Sequence, residues 1–252
     1  MMEKAIKTTL AHYAPYGLND LKNANLMNRV DSKFMFPVSW LPDMLQQLTG
    51  HYRVLEINGN RISTYRNQYL DTPDLKFYFD HHNGKLNRYK VRQRNYTDTH
   101  TSFLEVKHKT NQRRTKKTRV CLDKLDNRDS AANFVTESVG IDFKRMMVTQ
   151  HSGYNRIALA NEESAERLTI DFNLWYSKDG SQKIHLKNTC IAELKQGKIT
   201  KNSPFFSLKE ISYLRPTSFS KYCIGCALLY RDQIKVNRFK PVLKRLSDNR
   251  IH

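Results

Sequence analysis

Charged and apolar positions alternate most regularly between residues 86 and 94. Arg88, Lys90, Arg92 and Arg94 occupy every second position there, so a β-strand would place all four side chains on one face. Neighbouring cations on that face would lie roughly 7 Å apart and repel each other by roughly 2 kcal/mol at an effective dielectric constant of about 20. Such a row needs an anion to offset the repulsion.

The next two segments repeat this alternation and predict two more strands, 103–109 and 115–122. Their charged positions are Glu105, Lys107 and Lys109 in the first segment, and Lys117 and Arg119 in the second. Leu104 and Val106 form the opposite, apolar face of the first segment. Lys116 lies on the other parity, which leaves the choice of face in the second segment open. Three successive strands are therefore expected to share one cationic surface.

Similar patterns predict strands at 28–36, 53–57, 61–71, 145–159, 167–172 and 184–195. The Asn58-Gly59-Asn60 sequence is a hairpin signal, so we expect the strands 53–57 and 61–71 to pair. Helices are predicted after a Ser39 cap, from Thr72 to about Gly84, over 129–139, from Ser203-Pro204, and after a Ser218 or Ser220 cap.

The charged and apolar faces of these strands indicate the fold class. Small barrels ordinarily fill their interior with apolar side chains, whereas here about eight strands carry one charged and one apolar face. We predict an α+β fold in which an antiparallel β-barrel forms a tunnel with a cationic interior, and helices pack on the outer apolar faces. We expect an N-terminal arm over residues 1–25, the tunnel domain over 26–232 and a basic C-terminal tail over 233–252.

Composition narrows the class of partner. The 252 residues carry a formal net charge of +19, with a pI near 9.8, which indicates a polyanionic partner such as nucleic acid, an anionic membrane surface, or nucleotide and polyphosphate. No apolar run of about 18 residues and no signal peptide is present, which predicts a cytoplasmic protein without a transmembrane segment. The four cysteines are expected to be free thiols. Cys223 and Cys226 lack the second ligand pair of a zinc site.

The candidate chemistry is phosphoryl transfer. The sequence contains no G-x-x-x-x-G-K-[ST] and no G-x-G-x-x-G motif, so side-chain cations would have to bind the phosphates. Four acids would stand among those cations, namely Asp31, Glu105, Asp171 and Glu193. Carboxylates among phosphates are the usual ligands of Mg²⁺ or Mn²⁺. Phosphoryl transfer then needs mainly positioning and charge neutralisation from the protein.

Several short motifs occur together in order. They are Arg29-Val-Asp-Ser-Lys-Phe, Tyr69-Leu-Asp-Thr-Pro-Asp, Arg88-Tyr-Lys-Val-Arg-Gln-Arg, Leu104-Glu-Val-Lys, Ile191-Ala-Glu-Leu-Lys and Phe219-Ser-Lys-Tyr. Together they resemble the vacuolar transporter chaperone (VTC) polyphosphate polymerase domain, a member of the CYTH-like triphosphate tunnel metalloenzymes. The resemblance implies synthesis of inorganic polyphosphate from ATP with a divalent metal, usually Mn²⁺.

The resemblance also implies roles for particular residues. The family's phosphate-binding, catalytic cations correspond to Lys33, Arg92, Arg94, Lys107, Lys117, Arg156 and Lys221, and its metal-binding glutamate corresponds to Glu193. Strand parity adds Arg88, Lys90, Arg119, Arg167 and Lys195 as phosphate-binding candidates, and Glu105 and Asp171 as further metal candidates. Tunnel triphosphatases begin with Glu-x-Glu-x-Lys, whereas this chain has Arg29-x-Asp31-x-Lys33, which favours the polymerase branch.

Three alternatives stay open: a tunnel triphosphatase, a non-catalytic polyphosphate-binding domain and a nucleic-acid binding module. Tyr89 lies on the parity opposite the cations, whereas base stacking would need aromatic residues beside them. We therefore expect ATP and inorganic polyphosphate as partners and no nucleic acid. Fungal relatives also carry a phosphate-sensing SPX domain and membrane helices that this sequence does not show. Whether a membrane protein is a partner stays open.

Overall fold

A computed structural model describes residues 2–18, 20, 30–112, 114–124, 128–198, 200 and 202–248, and it contains one eleven-stranded sheet. The strands are β1 (Pro15–Tyr16), β2 (Val30–Pro37), β3 (Arg53–Leu55), β4 (Ser63–Asp71), β5 (Arg88–Tyr96), β6 (Thr101–Lys109), β7 (Thr115–Cys121), β8 (Met147–Asn161), β9 (Glu166–Ser177), β10 (Ile184–Leu186) and β11 (Thr189–Gln196). The α-helices are α1 (Met2–Ala11), α2 (Leu41–Leu48), α3 (Lys76–His82), α4 (Arg128–Val139), α5 (Pro204–Ser207), α6 (Lys209–Ser212), α7 (Lys221–Leu229) and α8 (Lys240–Asp248). Short 3-10 turns span Val38–Trp40, Leu122–Lys124, Phe143–Arg145 and Asn237–Phe239.

Eight strands form the main path of the sheet, in the order β2-β11-β9-β8-β4-β5-β6-β7. Every neighbouring pair along this path is antiparallel. The predicted α+β class and the antiparallel sheet of about eight strands are therefore confirmed. Within the described part of the chain, no pairing joins β7 to β2, so hydrogen bonds do not close the barrel.

Contacts and charge interactions between distant strands show that the sheet curls. The Thr217 N–H donates to the carbonyl of Lys33 on β2 at 2.7 Å, and three residues later the Ser220 hydroxyl accepts from Lys90 on β5 at 2.8 Å. Burial lowers the pKa of Lys90 on β5, and the positive charge of Lys33 on β2 adds to this effect. Burial also lowers the pKa of Lys107 on β6, and the negative charge of Glu193 on β11 opposes this effect. Each pair is five steps apart in the strand order, or about 24 Å in a flat sheet, whereas screening weakens such interactions beyond about 10 Å. The ends of the path therefore approach each other across a lumen.

Apolar side chains on the outer face are covered by helices, as predicted. Phe34 on β2, Leu168 on β9 and Leu194 on β11 belong to one buried cluster together with residues of α1, α2, α5 and α6. The predicted N-terminal arm is a regular helix in its first part, because Ile6 and Leu10 are fully buried in this cluster. Residues 21–29, which include the start of the predicted first strand, lie outside the described residues.

The predicted hairpin at residues 58–60 is wrong as a strand pairing. Asn58 and Gly59 do form a turn with positive φ angles, closed by backbone hydrogen bonds between Ile57 and Asn60. However, β3 pairs with β1 and β8 instead of β4. The turn residues set the local conformation, but they do not decide which strand each flanking segment joins.

Two smaller differences concern segment ends, whereas two predicted helix caps are confirmed. The Ser39 side chain does not cap α2, which instead follows directly from the 3-10 turn. The predicted strand 184–195 is divided into β10 and β11. Ser203 and Ser220 do cap helices as predicted, because each hydroxyl accepts a hydrogen bond from a backbone N–H in the first turn.

Helix α7 lies on the inner side of the curved sheet, whereas we predicted helices only on the outside. Tyr222 stacks on Tyr69 of β4 with ring centroids 5.1 Å apart and donates a short hydrogen bond to buried Asp71. Residues 222–227 are all buried, so α7 fills one end of the lumen. Its uniformly apolar surface suits such an enclosed position.

The predicted C-terminal tail contains helix α8 and packs against the domain. Phe239, Val242 and Leu246 are buried in the cluster that includes Tyr222 and Ile224 of α7. Arg245 donates a hydrogen bond to the backbone carbonyl of Met35 on β2, at 2.9 Å. Basic residues between these apolar positions masked the helical period. No helix in the described residues is long and apolar enough to cross a membrane.

Candidate active site

The strand registers bring the predicted cations side by side on one face, which we call the lumen face. On β5, β6 and β7 the aligned rows are Arg92-Glu105-Arg119, Lys90-Lys107-Lys117 and Arg88-Lys109-Thr115. On β2, β11 and β9 the aligned rows are Lys33-Glu193-Thr169 and Asp31-Lys195-Arg167. The register assigns Lys117 and Arg119 to the lumen face, which resolves the ambiguity caused by Lys116.

Glu105 is a fully buried acid held between two cations. Arg92 donates from Nε to Oε2 at 2.7 Å, and Lys117 forms a short ion pair with Oε1. Burial alone would raise the pKa of Glu105, but Arg92, Arg94 and Lys117 outweigh it and hold the pKa at about 2. Glu105 is thus a permanent anion that fixes the guanidinium of Arg92.

Asp171 on β9 forms a second centre of the same kind. Arg156 binds it through two hydrogen bonds, from Nε to Oδ1 at 2.5 Å and from Nη2 to Oδ2 at 2.8 Å. Lys221, at the start of α7, forms a short ion pair with Oδ2. These cations overcome the effect of burial and hold the pKa of Asp171 at about 2. Helix α7, which fills one end of the lumen and which we call the plug helix, therefore places one predicted cation against the sheet.

Glu193 is the most accessible of the three acids, with 21% of its side chain exposed. Lys33 lies 2.7 Å from Oε1 and Lys195 lies 2.5 Å from Oε2. Burial would raise the pKa of Glu193, but the two lysines hold it far below its ordinary value. Its partners are flexible ammonium groups, which can move toward another anion more easily than a bidentate guanidinium.

These contacts separate the predicted metal ligands. Among the described residues, no three Asp, Glu, His or Cys side chains come together to form a metal site. Glu105 and Asp171 have both carboxylate oxygens engaged inside cation clusters and are almost fully enclosed. They do not suit a metal. Glu193 suits a metal that takes most of its ligands from phosphate and water, as Mg²⁺ and Mn²⁺ do.

Two of the seven predicted catalytic cations, Arg94 and Lys107, have no acid within ion-pair distance among the described residues. Arg94 is 6% exposed and donates to the Asn67 amide oxygen at 2.9 Å and the Tyr154 hydroxyl at 2.8 Å. The side chain of Lys107 is exposed on the lumen face. The protein around it displaces part of its hydration, and this desolvation and the charge of Arg92 lower its pKa well below the ordinary value. Neither charge is neutralised by an acid in contact with it in the described part of the chain, and Lys107 is exposed to an anionic ligand.

Several polar atoms on the same face are buried without a partner in the described structure. Such atoms include Asn67 Nδ2, Ser152 Oγ, Arg167 Nε and Thr169 Oγ1. Buried polar groups are nearly always hydrogen-bonded in proteins. Donors that converge on a cationic lumen therefore suit an anionic ligand with many acceptor oxygens.

The structure thus brings most predicted site residues onto one surface, but it distributes them unevenly. Arg88 lies toward the α7 end and donates to the backbone carbonyl of Lys85 at 2.7 Å. Arg119 has no carboxylate contact among the described residues and lies over the ring of Phe103. Asn67 and Tyr154, neither of which was among the predicted site residues, both bind Arg94. The polar parity of residues 63–69 could have indicated Asn67.

Comparisons with known proteins agree with this geometry. Residues 28–230 match the sequence model of the VTC domain. No curated protein matches the chain. A solved structure of a candidate adenylate cyclase from Bacillus halodurans is similar at a TM-score of 0.50 and 14% identity, covering 76% of this chain and 94% of that one. This likeness concerns the fold alone.

A second structure is a candidate adenylyl cyclase from Hippeastrum, described as having a dominant triphosphatase activity. It gives a TM-score of 0.45 at 12% identity, covering 84% of this chain and 99% of that one.

Proposed function

The chain belongs to the VTC domain family, and from this premise we propose that it is a metal-dependent polyphosphate polymerase. It would transfer the γ-phosphate of ATP onto a growing chain of inorganic polyphosphate inside the lumen. The observation that carries the proposal is the state of the lumen acids. Glu105, Asp171 and Glu193 are each held by two cations, whereas Arg94 and Lys107 have no acidic partner among the described residues.

Phosphate binding follows from the two opposed groups of cations. The rows on β5, β6 and β7 face Lys33 and Lys195 across the lumen, and Arg156 and Lys221 lie near the plug helix. Burial, together with repulsion from neighbouring cations, lowers the pKa of Lys90 and Lys107, and a triphosphate between them would offset that repulsion. Charge-assisted hydrogen bonds to Arg94 and Arg92 would fix its orientation.

The acids distinguish the two candidate nucleophiles. Water needs a base or a metal to orient and deprotonate it, and a carboxylate whose pKa is near 2 is a very weak base. A polyphosphate end is already anionic and needs only to be held in line with the γ-phosphate. The lumen is rich in cations and poor in basic carboxylates, which favours phosphate over water as the acceptor.

A divalent cation, Mn²⁺ or Mg²⁺, would be held by Glu193 together with phosphate oxygens. When bound, it would neutralise charge that develops between the β- and γ-phosphates. Lys33 and Lys195 would then turn from Glu193 toward the phosphates. Their flexible stems allow this movement without rearrangement of the strands.

Product analysis tests the proposal against its alternatives. We expect the pure protein, incubated with ATP and Mn²⁺ or Mg²⁺, to form ADP and acid-stable polyphosphate with little orthophosphate. Stoichiometric orthophosphate without polymer would instead identify a tunnel triphosphatase. Polyphosphate binding without turnover would identify a non-catalytic binding domain. Salt-dependent binding of random oligonucleotides, with no binding of polyphosphate, would support a nucleic-acid module.

A further inference from the structure

Two aromatic residues share the lumen face with the cations. Tyr96 lies two positions beyond Arg94 on β5, and Phe103 pairs directly opposite Arg94 on β6. Their rings meet edge to face, with centroids 5.7 Å apart. Tyr89 lies on the opposite face, as its parity predicted, but Tyr96 and Phe103 supply the aromatic surface beside the cations that base stacking requires.

Arg119 extends this aromatic pair with a planar cation. Its guanidinium carbon lies 4.5 Å from the centroid of the Phe103 ring, and the residue is exposed. The register places Arg119 opposite Glu105, but Arg92 and Lys117 already occupy that carboxylate. Arg119 instead lies over the Phe103 ring, and the residue is exposed to solvent.

The position of Tyr96, Phe103 and Arg119 along the lumen determines which part of a bound ligand they can contact. Helix α7 reaches the other end of β5, where Lys90 donates to the Ser220 hydroxyl at 2.8 Å. Tyr96 lies four residues beyond Arg92, or about 13 Å along the strand. A linear ligand whose phosphates lie near Arg92 and Lys107 can thus extend to the level of Arg94 and Phe103, and on to Tyr96, away from the plug helix.

We propose that Phe103 and Arg119, together with Tyr96, form a stacking site for the base of a nucleoside triphosphate. This inference rests on the proposed function, because it assumes that the triphosphate lies on the lumen cations. The base would stack on the outer face of the Arg119 guanidinium, which Phe103 supports from behind. Stacking uses the π-face that every base has, so the site selects a nucleotide over a bare phosphate chain.

Calorimetric titration with two ligands tests the site without turnover. The ligands are the β,γ-imido analogue of ATP and inorganic triphosphate. Arg119→Lys keeps the charge but removes the planar group, and Phe103→Leu keeps an apolar side chain but removes the ring. We expect each variant to bind the ATP analogue about tenfold more weakly and to bind triphosphate within about twofold of the wild type. Lys116→Ala, on the opposite face of β7, should change neither affinity.

The outcomes separate this inference from the proposed function. Equal losses of affinity for both ligands would identify Arg119 as a phosphate ligand and overturn the stacking site. Unchanged affinities for both ligands in both variants would also overturn it. If the wild-type protein binds inorganic triphosphate as tightly as it binds the ATP analogue, the stacking site is overturned and the proposed function is not. A wild-type protein that binds neither ligand would contradict the proposed function as well.

Discussion

Replacing Glu105 by Gln tests whether the lumen depends on paired charges for its stability. The substitution keeps the shape of the side chain and removes the anion that holds Arg92 and Lys117. Glu105 is completely buried, so water cannot replace the lost charge. Removal of one partner from a buried ion pair is strongly destabilising, because it leaves an uncompensated charge.

The magnitude follows from the pKa of Glu105. Its fall from the ordinary value of 4.5 to about 2 corresponds to about 3 kcal/mol of folding free energy. Because the pKa is depressed in the folded state, this contribution is fully present above about pH 4.5. It is lost as the pH falls through the folded-state value near 2. We therefore expect Glu105→Gln to lower the free energy of unfolding by about 3 kcal/mol at pH 7.

Urea unfolding followed by tryptophan fluorescence, repeated from pH 7 to pH 3, measures this effect. The difference between wild type and Glu105→Gln should narrow steadily below pH 4.5. Inorganic triphosphate should stabilise the variant more than the wild type, because it replaces the missing anion beside Arg92 and Lys117. Glu137→Gln, on the exposed face of α4, should change stability by less than about 0.5 kcal/mol. A Glu105→Gln protein as stable as the wild type at pH 7 would refute this account of the lumen.

Three further predictions concern ligands. Arg94→Ala should weaken binding of a non-hydrolysable triphosphate by about 1.5 to 3 kcal/mol, whereas Lys244→Ala on α8 should change the affinity little. Equal losses of affinity for the two variants in calorimetry would indicate diffuse electrostatics instead. Glu193→Gln should abolish metal-dependent turnover without lowering polyphosphate affinity, since it removes an acid and no cation, and an active variant would contradict the metal assignment. Triphosphate binding should raise the depressed pKa of Lys107, so it should take up protons at the pH values where free Lys107 is partly deprotonated and should tighten as the pH falls through that range. Titration in buffers of different ionisation enthalpy measures this uptake, and Lys107→Met should reduce it.

The sequence was most informative where alternation was strict. The row from Arg88 to Arg94 could be assigned to one face of one strand, and the registers of β5 and β6 confirm that face. Parity also predicted that Glu105 and Lys107 share it. These predictions succeed because successive side chains of any strand must alternate between the two faces of the sheet. No tertiary information is needed for that step.

The pairing partners of the strands and the surroundings of the charged side chains could not be predicted in this way. The turn at Asn58 and Gly59 fixed a local bend, but β3 found its neighbours through long-range packing. Lys221 was assigned by resemblance, and its contact with Asp171 depends on a plug helix whose position no local pattern reveals. Glu105 as a structural anion could not be distinguished from a metal ligand without knowledge of the cations around it.

The fate of a labelled γ-phosphate tests most directly whether the lumen transfers phosphate to phosphate, as we propose. The protein would be incubated with γ-labelled ATP, a short polyphosphate primer and Mn²⁺, and the label in polymer and in orthophosphate would be counted after separation. We predict that most of the label enters lengthened polyphosphate, in proportion to the ADP formed. Label found entirely in orthophosphate, at the same ADP yield with primer present, would contradict the claim.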